Sequence, residues 1–228
     1  MTKDRDQRIH QEWEKRWKGS EEHERLTFIG RRMFKAKKRA LAALLSELDV
    51  AEVIEVGCGL GHTLQVYHNM GLKARGIDVS PSAVAACRKK GLDVELGALE
   101  DETGTYDLVS SDGMLEHFLN FEPIAHHLMR ISTRFVLIIQ PNHGSFWGRT
   151  MVYLAELIRG DENVREYNYL IRDFVDVFES RGFILEKSVP IFADVFRILL
   201  FRKAAFGTQA GDNSRGSGSC DPTNGFDG

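Results

Sequence analysis

The spacing of apolar residues changes repeatedly between two patterns from residue 26 to residue 203. Apolar residues three or four positions apart, typical of one face of an amphipathic helix, run from Leu26 to Leu48. Short apolar runs typical of buried strands follow, separated by segments long enough for helices. These runs lie at residues 52–56, 73–78, 92–96, 106–111 and 134–140. The alternation predicts a parallel sheet with helices on both faces.

The pattern is different near the end of this region. A helical segment at residues 171–180 is followed by Gly182, a residue type that commonly ends a helix. Two strand-like runs come next, at residues 183–191 and 194–203, and their short connection requires them to be antiparallel. We therefore predict an α/β fold with a doubly wound, seven-stranded sheet, made of five parallel strands and a C-terminal antiparallel hairpin.

Composition and charge exclude several function classes. The chain has 228 residues, enough for one α/β domain, and its formal net charge of -3 argues against a dedicated nucleic-acid binder. No apolar run approaches the roughly 20 residues of a membrane span, and the charged N-terminus is unlike a secretory signal. The widely spaced Cys58, Cys87 and Cys220 form no C-x-x-C pair, which favours a cytoplasmic location and no metal site.

Three parts of the chain differ in composition. We predict an N-terminal helical lid or extension at residues 1–24, the α/β domain at residues 25–206, and a disordered Gly/Ser-rich tail at residues 207–228. Within the first part, Trp13 and Trp17 share one helical face, which we expect to pack on the domain.

The stretch VIEVGCGLGH at residues 53–62 ends an apolar run with three alternating glycines. A glycine turn between a strand and a helix exposes backbone N–H groups, which attract an anionic ligand. The dinucleotide fingerprint G-x-G-x-x-G would place its third glycine, or an alanine, where this chain has His62. The third glycine is instead Gly61, one residue earlier, and this spacing argues against a nicotinamide cofactor.

The pattern E-x-G-x-G-x-G from Glu55 to Gly61 resembles motif I of the class I S-adenosylmethionine-dependent methyltransferases. Further segments, in the same order, resemble the small-molecule and quinone O-methyltransferase subgroup: GIDVS at 76–80, YDLV at 106–109, MLEH at 114–117 and QPN at 140–142. The resemblance covers roughly residues 25–203. It implies a Rossmann-like enzyme that uses S-adenosyl-L-methionine to methylate a small-molecule acceptor, at oxygen or nitrogen.

The resemblance also implies which residues hold the cofactor. Asp78 would accept the two ribose hydroxyls, and Arg25 would reach the methionyl carboxylate. The subgroup's G-D-A after the third strand is replaced by GALE at residues 97–100, so the acid that contacts the adenine amine is missing at Ala98. The cofactor-binding residues that we expect are Arg25, Glu55, Gly57, Gly59, Gly61, Asp78, Val79, Leu99, Glu100 and Asp112.

Two histidines are the candidate catalytic residues. His117 follows the fourth predicted strand and His143 the fifth, at the edge of the sheet where ligands bind in open α/β folds. Each is either a structural residue or the base that removes a proton from an acceptor hydroxyl, whereas an amine acceptor might need neither. Aromatic residues between the fifth strand and the last helix favour an apolar or ring-bearing acceptor.

Other interpretations of the sequence stay open. The chain could be a catalytically inactive cofactor-binding or scaffolding protein of the same fold, since fold does not fix function. A nicotinamide oxidoreductase is a more distant alternative. The basic run from Arg31 to Arg39 is either a solvated helix face or a patch for an anionic partner. The oligomeric state does not follow from the sequence.

Overall fold

Helices and strands alternate along the chain as the apolar pattern predicts. The computed structural model describes residues 11–15, 17–18, 28–150 and 166–204. Residues 11–15 and 17 are helical, as are residues 146–150. The other elements are α1 (Phe28–Leu45), β1 (Glu52–Val56), α2 (Leu64–Asn69), β2 (Lys73–Asp78), α3 (Pro81–Lys89), β3 (Val94–Leu96), a 3-10 helix (Leu99–Asp101), β4 (Tyr106–Asp112), a second 3-10 helix (Leu115–His117), α4 (Glu122–Ile131), β5 (Ser132–Pro141), α5 (Ile171–Glu179), β6 (Phe183–Ile191) and β7 (Phe196–Lys203).

The seven strands form one mixed sheet in the order β3-β2-β1-β4-β5-β7-β6. Strands β1 to β5 are parallel, and β7 runs antiparallel between β5 and β6. The predicted architecture of five parallel strands plus a C-terminal antiparallel hairpin is therefore confirmed. The chain leaves β1 toward β2 and β3, and later returns to the other side of β1 with β4. Loops at the carboxyl ends of β1 and β4 thus diverge, and this divergence creates a crevice where ligands bind in such folds.

Helices cover both faces of the sheet. Helices α1, α2 and α3 pack on one face, where Leu41 and Tyr67 are fully buried. Helices α4 and α5 pack on the other face, where Leu128, Phe174 and Phe178 have at most 1% of their surface exposed. Burying each such side chain stabilises the fold by about 1.5–3 kcal/mol. The two cores hold the strands rigidly, so the loops at the crevice have a fixed frame.

Helix α3 begins immediately after the carboxyl end of β2. The Ser80 hydroxyl accepts a hydrogen bond from the Ala83 N–H at 3.2 Å, and Pro81 occupies the first helical position, where its fixed φ is suitable. Ser80 is therefore the N-cap residue. Asp78, two residues earlier, stays outside the helix and at the crevice.

The turn between β6 and β7 has an uncommon backbone. Phe192, Ala193 and Asp194 have φ angles of 49°, 53° and 64°, in the left-handed region that non-glycine residues seldom adopt. The Arg197 guanidinium holds this turn with two hydrogen bonds to the Asp194 carboxylate, at 2.7 and 3.0 Å. The turn contacts the end of β5, because the Asn142 N–H donates to the Val195 carbonyl at 2.8 Å.

Element boundaries differ slightly from the sequence prediction. Strand β1 spans the predicted residues, whereas β5 begins at Ser132, two residues early, and β3 begins at Val94, two residues late. The predicted tail at residues 207–228 and most of the predicted lid at residues 1–24 lie outside the described residues. In the described part of the chain, no helix is both long enough and apolar enough to cross a bilayer.

Candidate active site

A cavity of about 840 Å³ lies at the carboxyl ends of β1, β2 and β4. Its walls come from the glycine turn after β1, the end of β2, the first 3-10 helix, the end of β4 with the second 3-10 helix, helix α1 and the N-terminal helical segment. Of the expected cofactor-binding residues, the cavity is lined by Glu55, Gly57, Gly59, Asp78, Val79, Leu99, Glu100 and Asp112.

The glycine turn adopts a backbone that requires glycine. Gly57, Gly59 and Gly61 have φ angles of 68°, 50° and 73°. A Cβ atom on Gly57 would also lie 2.8 Å from the Met114 sulfur, so the Met114 side chain would have to shift. The turn is fixed to β2 by the Gly57 N–H, which donates to the Ile77 carbonyl at 2.9 Å. The spacing of the three glycines therefore has a direct steric cause.

Asp78 connects the glycine turn to helix α3. One carboxylate oxygen accepts from the Gly59 N–H at 2.7 Å and the other from the Ser80 N–H at 2.9 Å. The side chain has 6% of its surface exposed and lines the cavity. Burial raises the pKa of Asp78, and the backbone hydrogen bonds oppose that shift. Each oxygen keeps a second lone pair, so the carboxylate can still accept from a ligand hydroxyl.

Glu55 lies beneath the same cavity and is 2% exposed. Its Oε2 atom has no hydrogen-bond partner in the described part of the chain. Burial raises the pKa of Glu55 well above its usual range, and the neighbouring Asp112 raises it further. The hydrogen-bonding capacity of this oxygen is therefore available to a group in the cavity.

Lys37 is a cavity residue that the sequence interpretation missed. Its ammonium forms an ion pair with Asp112 at 2.5 Å, and the Thr63 hydroxyl donates to the same carboxylate oxygen at 2.6 Å. The Lys37 and Asp112 side chains are 22% and 18% exposed. Lys37 belongs to the basic run of α1, whose exposed members include Arg31 and Lys35. Lys37 is thus the member of the run that lines the cavity, whereas Arg31 and Lys35 face solvent.

The first 3-10 helix forms the far end of the cavity. Ala98, Leu99, Glu100 and Asp101 all line it, together with Val79 from the end of β2. Glu100 is exposed, whereas Leu99 is buried. Ala98 stands where the subgroup usually has an acid. The carboxylates of Glu100 and Asp101 are available two and three residues later.

The two candidate catalytic histidines occupy different places. His117, in the second 3-10 helix, is buried and lines the cavity. His143, in the turn after β5, is equally buried but does not line this cavity. Glu116 also lines the cavity, and its carbonyl accepts from the Tyr167 N–H at 2.7 Å. The structure thus brings His117 together with the expected cofactor residues and keeps His143 apart from them.

Aromatic and apolar side chains form part of the cavity lining. The Trp13 ring packs edge-on against the His117 ring, with centroids 4.8 Å apart, and Met114, Phe118 and Phe196 also line the cavity. The Tyr169 hydroxyl donates to the Phe118 carbonyl at 3.0 Å and so joins the segment before α5 to this lining.

Some sequence predictions concern residues that the structure does not describe or does not place in the lining of the cavity. Arg25 lies outside the described residues, as do Met151 and Tyr153 from the expected aromatic acceptor region. Phe146 and Trp147 are 67% and 56% exposed.

Comparison with known proteins identifies the family. Residues 25–183 match the family described as Methyltransferase domain. The ubiquinone biosynthesis O-methyltransferase of Xanthomonas oryzae is 33% identical over 81 residues, which is 31% of this chain and 34% of that protein. The chain therefore spans about a third of the length of the curated relatives that it matches.

Solved structures share the fold. Magnesium protoporphyrin IX methyltransferase from Synechocystis PCC 6803, with bound S-adenosylhomocysteine, has a TM-score of 0.65 at 17% identity, covering 79% of this chain and 89% of that one. A possible histamine N-methyltransferase from Thermotoga maritima has a TM-score of 0.64 at 18% identity, covering 82% and 97%.

The fold and the position of the cavity are those of the class I S-adenosylmethionine-dependent methyltransferases. The chain belongs to the Methyltransferase domain family, which its match over residues 25–183 establishes. The resemblance inferred from motif I and the segments after it is confirmed, and so is the cofactor of that family, S-adenosyl-L-methionine.

Proposed function

We propose that this chain transfers a methyl group from S-adenosylmethionine to a hydroxyl group of a small, apolar or ring-bearing acceptor. The observation that carries this proposal is the position of His117. It shares one cavity with the glycine turn and Asp78, and the Trp13 ring packs edge-on against it. The partial similarity to a ubiquinone biosynthesis O-methyltransferase supports an oxygen acceptor. The widely spaced cysteines, which form no C-x-x-C pair, support a cytoplasmic location.

Residues around the cavity fit this cofactor. Asp78 would accept from the ribose hydroxyls, and Val79 with Leu99 and Glu100 would surround the adenine. At the amino-acid end, the buried Glu55 oxygen and Asp112 suit the ammonium group, and Lys37 suits the carboxylate. The amino-acid group would lie beside the Lys37–Asp112 ion pair, with its ammonium toward Asp112 and its carboxylate toward Lys37, because the reverse orientation would place like charges together.

Once bound, S-adenosylmethionine supplies a methyl group on a positively charged sulfur that needs no further activation. The protein's contribution is then alignment, which can be worth roughly 7–11 kcal/mol of the barrier. The apolar side chains next to His117 exclude water from the acceptor. His117 takes the proton from the acceptor hydroxyl, a step that general base catalysis accelerates about 10²–10⁴-fold.

The proposal is tested with a panel of acceptors. Purified protein is incubated with labelled S-adenosylmethionine and with matched pairs of phenols and anilines that share a ring. We expect methyl transfer to the phenols, because a base in the cavity is needed only for an acceptor that must lose a proton. Transfer to the anilines alone would replace the oxygen assignment with a nitrogen one.

The second candidate function, cofactor binding without turnover, has its own outcome. Tight binding of S-adenosylmethionine, with no transfer to any panel member or to a cell extract of small molecules, would favour it. A matched control is Asp78→Ala, which should slow transfer at limiting cofactor concentration by weakening cofactor binding, while leaving His117 in place.

A further inference from the structure

The N-terminal helical segment is anchored to the domain by one carboxylate. Glu14 accepts three hydrogen bonds at the start of α3: from the Ser80 hydroxyl at 2.6 Å, the Ser82 hydroxyl at 2.6 Å and the Ser82 N–H at 3.1 Å. These bonds lower the pKa of Glu14, first through Ser80 and then through Ser82. A carboxylate at a helix N-terminus is also favoured by the helix dipole. Glu14 therefore fixes where this segment lies.

The anchored segment covers the cavity with two aromatic rings. Trp13 and Trp17 both line the cavity, and their rings stack with centroids 5.8 Å apart. Trp17 lies so close to the glycine turn that a Cβ atom on Gly59 would be 2.8 Å from its ring. Trp13 contacts His117 edge-on. We call residues 11–15 and 17–18 the roof segment.

Ser80 links the anchor of the roof segment to the floor of the cavity. Its hydroxyl donates to Glu14 while its N–H donates to Asp78. The carboxylate proposed to hold the ribose and the carboxylate that holds the roof segment thus share one residue. The charge of Glu14 also contributes to the raised pKa of Asp78. A substitution at Glu14 therefore affects the cofactor site through Ser80 and Asp78, without direct contact between Glu14 and the cofactor.

We propose that Glu14 is a positioning residue, which holds Trp13 and Trp17 over the bound cofactor and sets the rate at which the cofactor and its product exchange. A cavity of about 840 Å³ has room for the cofactor beneath the closed roof segment. Breaking the three Glu14 hydrogen bonds would free the roof segment to move away from the cavity and widen the path for the ligand. The inference depends on the cofactor site and not on the chemistry of the acceptor.

The test measures the dissociation rate of S-adenosylhomocysteine by stopped-flow fluorescence. A Trp147→Phe background leaves Trp13 and Trp17 as the indoles of the chain. We expect Glu14→Ala to release the ligand about tenfold faster, since it removes hydrogen bonds to a charged group. Ser82→Ala should also accelerate release. Combining both changes should add little to Glu14→Ala, because the two residues act through one contact. The matched control is Glu12→Ala, an exposed carboxylate on the same segment.

Three readouts separate this role from a general loss of stability. In steady state, Glu14→Ala should raise KM for S-adenosylmethionine without lowering kcat. Glu14→Gln, whose amide oxygen still accepts hydrogen bonds, should restore part of the slow release. The melting temperature without cofactor should change by no more than it does for Ser82→Ala.

Particular results would overturn the inference. One is a Glu14→Ala release rate equal to that of Glu12→Ala, and another is fully additive effects of Glu14 and Ser82. A wild-type protein that binds no S-adenosylhomocysteine would overturn the cofactor site and the roof together. Failure to methylate any acceptor, with normal binding, would contradict the proposed function alone.

Discussion

The loop after β1 and the loop after β5 both follow parallel strands, but different parts of the chain hold them in place. The glycine turn after β1 is held by neighbours in the adjacent strand, through Gly57 on Ile77 and Asp78 on Gly59. The loop after β5 is held by the distant β6–β7 turn. There the Asn142 N–H donates to the Val195 carbonyl at 2.8 Å, and the Ser145 hydroxyl donates to the Asp194 carbonyl at 2.8 Å.

The conformations of the two loops are therefore determined in different ways. The β1 loop is specified by a few residues at fixed spacing, because its conformation depends on glycine and on one carboxylate. The β5 loop depends on a strained turn about 50 residues later in the chain, so its shape can change whenever that turn or its neighbours change.

The largest expected effect concerns His117. Changing it to Ala should lower turnover on a phenolic acceptor about 10²–10⁴-fold, with cofactor affinity changed little. His143→Ala, at an equally buried histidine beside the β5 loop, is the matched control and should lose far less. Turnover by both variants is compared with S-adenosylhomocysteine affinity from calorimetry. Equal losses of turnover in the two variants would contradict the assignment of His117 as the catalytic base.

The second largest effect is expected for Asp78→Ala. It should weaken cofactor binding by about 1.5–3 kcal/mol, because a charged acceptor is lost. It should also lower the melting temperature, since the Gly59 and Ser80 N–H groups lose their acceptor. Asp107→Ala is the control: this carboxylate likewise accepts from two backbone N–H groups, at Ala51 and Glu52. It should lower stability and leave cofactor affinity unchanged.

Lys37→Met should have a smaller effect. We expect cofactor affinity to fall about tenfold, because the carboxylate of the cofactor loses an ionic partner in a mostly buried position. The dependence of affinity on salt concentration should weaken as well. Lys35→Met, an exposed lysine of the same helix, should match the wild type in calorimetry. An unchanged affinity in Lys37→Met would restore Arg25 as the leading candidate for the carboxylate.

Glu55→Gln should have the smallest effect, a change in how stability depends on pH. The pKa of Glu55 is raised in the folded state, so the folded protein holds its proton at pH values where the unfolded chain has lost it. The stability that this provides is complete below the unfolded pKa and is lost as pH rises through the folded pKa. Glu55→Gln should lose that part of the pH dependence in denaturant titrations. If the free energy of unfolding depends on pH in the same way in the wild type and in Glu55→Gln, then Glu55 does not titrate as described.

Most of the fold follows from local patterns in the sequence. Strand positions came from apolar runs, and the antiparallel hairpin came from a connection too short for a crossover. The glycine turn was predictable because left-handed φ angles at Gly57, Gly59 and Gly61 leave few alternatives to glycine. Ser80 and Pro81 marked the start of α3 for similarly local reasons.

The residues that the sequence interpretation missed depend on contacts between distant segments. Lys37 looked like its neighbours in a basic run, and the docking of α1 beside Asp112, 75 residues later, sets it apart. Glu14 stood among many charged residues, and its partners Ser80 and Ser82 lie 66 and 68 positions away. Lys37, Leu41 and Leu44 share one face of helix α1, and both leucines are buried. This spacing could have indicated from the sequence that Lys37 faces the protein.

The position of β7 has a consequence for how the chain folds during synthesis. This last strand lies inside the sheet, and Ile198, Leu199, Leu200 and Phe201 are fully buried between β5 and β6. Until these residues leave the ribosome, β5 presents an unpaired apolar edge, which is the kind of surface that leads to aggregation. A nascent chain that stops before Phe196 therefore carries every residue proposed to bind the cofactor but has an incomplete sheet, and we expect it to need a chaperone.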